Sequence, residues 1–324
     1  MITVILNVMK ITLLVIFSLL ILSPLYNVTL SNKVYFELIK EFELSAVPRD
    51  IILFDNAYVL TDGALNSITI ADPYNAIKTE VIGLSGITSI AFIGHFAYAS
   101  YSVGNIVVYD FSKFPPLKKN TILSTGRIQK LVIDNGYLYV TNLDAGLQVY
   151  DVNIADFPVY KNTQIITGEA NGLIVKNKRI YVTSSNAYLS IIDAADISML
   201  PIIGTYTNGV SFFEPYVDGD YAYVPQGETG VQVLNISKLP SPSWVSNLYA
   251  RRFAKQVVTS SIYVWIADDR SIESFFNNSA ESYFFAGNYK CSSAINRIAV
   301  IDGKFVYVAT ADKKIKILKI EYQY

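Results

Sequence analysis

The chain has 324 residues and a formal net charge of −1, with no dense Lys/Arg block, which excludes the basic footprint that nucleic-acid binding demands. Hydrophobic residues make up 52% and aromatics 13%, a balance that suits half-buried sheet and excludes a disordered chain. A single Cys, Cys291, excludes an intrachain disulfide, and a single His, His95, in the tight turn "IGHF", excludes a His-rich zinc centre.

The first predicted element is apolar. "ITLLVIFSLLILSPLY" (Ile11–Tyr26) carries no charge and follows Lys10. Counted back to Ile2, the run nearly spans a bilayer. Residues 1–32 are therefore expected to be a hydrophobic helix serving as a signal-anchor or a cleaved signal peptide. Either reading sends the rest of the chain out of the cytoplasm, anchored at the extracellular face of the membrane or secreted.

From there on the chain repeats. An anchor aromatic in a "YxYV"-like strand falls at Tyr58, Tyr98, Tyr139, Tyr181, Tyr223 and Tyr307. In the sixth copy the anchor is assigned to Val264, with Tyr263 as the alternative. A branched apolar residue follows eight places on in most copies, and four further stand Asp72, Asp110, Asp151, Asp193, Asn235, Phe276 and Lys319. The third copy shows the unit. Lys130–Asp134 forms one strand and Asn135-Gly136 a hairpin turn; "YLYVT" and "GLQVYD" form two more strands, and Val159–Ile166 the fourth. Four strands in 40–43 residues is the arithmetic of a β-propeller blade.

The last copy lacks its fourth strand, and "FELIKEFE" (36–43) stands alone ahead of the first full copy. The two are expected to pair. The fold class is then all-β: a seven-bladed β-propeller of four-stranded blades over residues 33–324, closed by strand 36–43 in the last blade. Such closure removes the exposed sheet edges that template aggregation.

These repeats resemble a known family. "GLQVYDV", "GVQVLNISKLPSP" and "IVVYDFSKFPP" resemble LVIVD repeats, and "YVTN" (Tyr139–Asn142) is similar to the signature of YVTN-type propellers of prokaryotic surface proteins. The resemblance covers nearly all of residues 45–324. It implies a bacterial or archaeal cell-surface propeller, in a family with no common catalytic motif.

The recurrent aspartate closes the third strand of a blade, so copies from different blades stand far apart. Acid/base pairs and calcium sites need adjacent carboxylates. A cap on the next turn explains this residue better. Candidate binding residues come instead from the loops between second and third strands and from the links between blades, which share one end of the ring. They are Tyr101, Asp144, Tyr188, Glu228, Asp268, Asp269 and Arg270 from the loops, with Arg127 and Arg252 from the links. Arg49, Asp62, Glu169 and Arg251 belong to the same end.

No cofactor, metal site or catalytic residue is expected. Phosphate-binding Gly-rich loops, Gly-x-Ser-x-Gly and His-Glu-x-x-His are absent from the sequence. The expected function is a cell-surface or secreted scaffold for a protein or glycan, touching the membrane only through its N-terminal segment. Two alternatives stand beside it. One is an extracellular hydrolase or lyase on a polymer, with its site in the ring's mouth. The other is a self-assembling envelope component.

Overall fold

Alternation of apolar residues with period two, broken every five to seven residues by turn chemistry, produces short antiparallel strands and nothing else. The computed structural model describes residues 32–323 apart from 103, 125, 280 and 281, and without the side chains of 278 and 279. These residues form seven four-stranded antiparallel sheets. Six are built from four consecutive strands; in the first blade these are Pro48–Leu53, Ala57–Thr61, Leu65–Ile68 and Lys78–Val81. The seventh takes three strands from the C-terminus, Ile295–Ile301, Phe305–Thr310 and Lys314–Gln323, and its outermost strand from the N-terminus, Lys33–Glu43. Lys33 sits opposite Gln323 and Glu43 opposite Lys314, so the two ends of the chain lock the ring. Residues 1–31 of the expected hydrophobic segment lie outside the described residues. Among the described residues no helix is long and apolar enough to cross a membrane.

Side chains alternate between the two faces of each blade, so every blade packs apolar residues against both neighbours. Between the third and fourth blades, Tyr139, Leu147 and Val149 meet Ala170, Leu173, Ile180 and Val182. Comparable clusters fill the other junctions. Full burial of a Leu, Ile or Val is worth about 1.5–3 kcal/mol, so the core is a ring of junctions and not a single centre.

The anchor aromatic is the large residue of each junction. Tyr307 carries its hydroxyl across the junction and donates to the Thr69 carbonyl at 3.3 Å; Tyr98 donates likewise to the Ala155 carbonyl. In the sixth blade the anchor is Trp265, and the assignment to Val264 is corrected. Trp265 is fully buried toward the seventh blade, whereas Val264 faces the fifth. The cause is local. Four residues separate the paired Ala267 and Ile272, against five between Thr141 and Leu147 in the third blade. Counting back from Ile272 therefore lands one residue early.

The turns follow their sequence. Asn135 and Gly136 both hold positive φ, 47° and 75°, as the tightest hairpin turn requires. The recurrent acid is a cap. The Oδ1 atoms of Asp72, Asp110, Asp151, Asp193 and Asn235 each accept from the backbone N–H two residues on, at 2.8–3.1 Å.

Candidate functional site at the loop end of the ring

Each innermost strand begins at the loop end and runs down the central channel. Near its start the equivalent position is occupied in turn by Asp50, Ser89, Lys130, Gly172, Glu214, Gln256 and Arg297: third in five of these strands, first in Gln256–Ser260, and two residues ahead of Tyr216–Asp218 for Glu214. Charges thus alternate in sign over blades one, three, five and seven, and short or neutral residues fill the blades between. The four charged side chains meet. Lys130 Nζ lies 2.8 Å from Asp50 Oδ2 and 3.1 Å from Glu214 Oε1. Arg297 Nε lies 2.7 Å from Asp50 Oδ1, and its terminal nitrogen donates to Glu214 Oε2. Two cations and two carboxylates close a ring just beneath the mouth.

The blades between make room. A Cβ on Gly172 would stand 2.7 Å from Glu214 Cα and 2.3 Å from Thr183 Oγ1, so only glycine fits there. Ser89 Oγ accepts from the Leu131 N–H at 3.0 Å, and Gln256 pairs with the Ile298 N–H and carbonyl. These side chains turn away from the axis to brace the neighbouring blade.

Electrostatics fix the protonation of the ring. Burial alone would raise Asp50, but the Arg297 and Lys130 charges outweigh it and hold its carboxyl far below the usual carboxylate range. Burial acts downward on Lys130 and Arg297, and the two carboxylates more than reverse it. Every charge is matched, which makes this a brace and a partial plug with no spare base.

Above the quartet the expected site residues are mostly engaged. Arg127 lies 3.6 Å from Asp144 and 3.1 Å from Glu169 of the next blade, and its backbone N–H donates to Asp144. Arg49 pairs with Asp62, and Asp269 with Lys255 at 3.1 Å. Tyr101 shares a 2.7 Å hydrogen bond with Tyr109 and packs into the junction of blades one and two. Tyr188 opens its strand half-buried; Glu228, Arg252 and Arg270 are exposed. So the fold joins Asp144 to Arg127, while Asp268 and Asp269 part company.

Asp268 is fully buried: Oδ1 accepts from the Arg270 and Ser271 N–H groups, and Oδ2 has no hydrogen-bond partner. Close by, buried Glu273 sits 3.4 Å from Arg251 Nε. Burial raises the Glu273 pKa, and the Asp268 charge raises it further.

The loop end also carries an apolar arc. Where the outermost strand meets the link, blades one to three expose Ile82, Leu123 and Ile165 at equivalent positions, 59%, 80% and 77% accessible. A separate cavity of about 640 Å³ opens at the opposite end between blades three and four, lined by Tyr137, Tyr139, Lys161, Lys178 and Asp196 among others. Among the described residues no group of three or more His, Cys, Asp or Glu could hold a metal ion.

The channel quartet escaped the reading of the sequence, yet a signal was there. Asp50, Lys130 and Arg297 each stand directly before an apolar run (Ile51–Leu53, Leu131–Ile133, Ile298–Ile301), eight to ten residues before their anchor aromatics. Phasing the innermost strands on the repeat would have lined them up.

Fold and site together define a closed seven-bladed β-propeller. Among solved structures it is similar to the WD40 β-propeller domain of Doa1, with a TM-score of 0.66 and 12% identity over 88% of this chain and 97% of that one. It is also similar to the computationally designed Ika8 protein, with a TM-score of 0.64 and 10% identity over 86% of this chain and 97% of that one. No family model and no curated protein matches the sequence, so the LVIVD- and YVTN-type resemblance rests on the repeat residues alone. At such identities the likeness is one of fold.

Proposed function

We propose that the protein is an interaction scaffold held at the outer face of a membrane by its N-terminal segment, and that its loop end docks another protein. The observation that carries this reading is the arc of Ile82, Leu123 and Ile165, each more than half exposed on three neighbouring blades. Exposed aliphatics beside paired charges suit a protein interface, with apolar anchors and a polar rim. The Arg127–Asp144–Glu169 cluster supplies that rim. The WD40-like neighbour supports a scaffold by analogy of fold. Substituting the three aliphatics by Asp and repeating partner capture from envelope material tests the reading. Loss of a protein partner at unchanged stability supports it.

One observation favours an enzyme instead. Glu273 is buried close to buried Asp268, and burial first and the Asp268 charge second raise its pKa. A carboxyl whose pKa burial raises suits a general acid. Polysaccharide cleavage abolished by Glu273→Gln would establish this second reading.

A further inference from the structure

The end of the ring opposite the loops carries a different surface. It is made of the first hairpin turns and of the loops between third and outermost strands. Six consecutive blades each expose a large apolar side chain there: Tyr74, Phe114, Phe157, Met199, Trp244 and Ile262. They are spread around the rim, and some blades add a second, Ile77 after Tyr74, Leu117 after Phe114 and Ile154 before Phe157. Apolar side chains on six of the seven blades nearly encircle this end, as contact with a flat surface requires, whereas the loop-end arc occupies three adjacent blades. Trp, Tyr and Phe in such positions suit the headgroup layer of a bilayer, where one side of the ring is wet and the other apolar.

The chain enters at this same end. Lys33 pairs with Gln323, the bottom residue of the last strand, and Tyr35 stands exposed two places on. Only residues 27–32 separate Lys33 from the uncharged apolar run Ile11–Tyr26. Six residues reach at most about 20 Å when fully extended. A run seated in the bilayer therefore keeps this end within that distance of it, while the loop end stands on the far side of the ring.

We infer that the turn end of the propeller rests on the lipid surface through its ring of apolar tips, so that the loop-end mouth points away from the membrane. This rests on the anchored reading above. The contacts are apolar, and acids and bases are mixed on this end, so the seating is insensitive to salt.

The two tryptophans make the test direct. Trp244 is exposed on the turn end, and Trp265 is fully buried in a blade junction. The full chain is reconstituted into phosphatidylcholine vesicles, with and without bromine on the upper acyl carbons, and tryptophan emission is recorded. The inference expects at least a twofold loss of the Trp244 emission. Trp244→Phe abolishes the quenching; Phe114→Trp or Phe157→Trp in that background restores it; Leu123→Trp in that background does not. Unquenched Trp244, Phe114→Trp and Phe157→Trp in chains that float with the vesicles would overturn the inference and leave anchoring intact. Quenching of Leu123→Trp would equally overturn it. A chain that does not float overturns the anchored reading and this one with it.

Discussion

Asp50 and Lys130 come from the first and third blades, 80 residues apart, yet their side chains meet at 2.8 Å on the channel axis. With Glu214 and Arg297 they tie four of the seven blades together through the centre, while the termini tie the ring at its edge. A buried ion pair is often no more stable than an apolar replacement, but losing one partner strands the others. Asp50→Ala is therefore expected to cost about 3–5 kcal/mol in urea unfolding. The double variant Asp50→Leu/Arg297→Leu leaves Lys130 with Glu214 and is expected to cost much less than the sum of the two single changes.

The same carboxyl sets a pH dependence. The folded pKa of Asp50 lies well below its unfolded value, so its contribution is fully present above about pH 4. It is lost as pH falls from there toward the folded value. The stability gap between wild type and Asp50→Asn should be constant from pH 6 to pH 8 and shrink below about pH 4. Glu273 runs the other way. Its folded pKa is raised, so its ionisation penalises the fold as pH rises above the ordinary glutamate range. Glu273→Gln should raise the melting temperature at pH 8 and change it little at pH 4.

The recurrent aspartates predict a graded response. Asn235 already makes the cap that Asp151 makes, through the same Oδ1 and at the same spacing. Asp151→Asn should unfold within about 0.5 kcal/mol of wild type, and Asp151→Ala should lose about 1 kcal/mol. Equal losses in both variants would show that the charge and not the cap matters.

Gly172 carries a steric prediction. Its Cβ would overlap Thr183 Oγ1, which donates to the Phe213 carbonyl, and the Glu214 backbone, which cannot retreat without moving the fifth blade. Gly172→Ala is expected to destabilise the fold by about 1–3 kcal/mol. Thermal melting of that variant with and without Thr183→Ala separates the two clashes.

Much of the fold was legible because the repeat is written three times over, in an aromatic, a branched apolar residue and a cap. Asp151 was readable as a cap because its neighbours in chain and in copy told the same story. Trp265 was not readable as an anchor, since a one-residue shortening of its loop shifts the count and the substitution hides the Tyr. The charged quartet was invisible for another reason. Its members share no local motif and no common residue type; what they share is a position on a closed ring, which exists only once seven blades meet. Of the expected site, the sequence placed Arg127 and Asp144 at one end of the ring, and their contact came from the tilt of one link against one loop.

The central claim is that the loop end docks a protein through the aliphatic arc. The direct measurement is capture from envelope material by the full chain, wild type against Ile82→Asp/Leu123→Asp/Ile165→Asp, with matched melting temperatures. The account predicts a protein partner retained by the wild type and lost, by tenfold or more, by the triple variant. An unchanged set of bound proteins on the folded triple variant would contradict it.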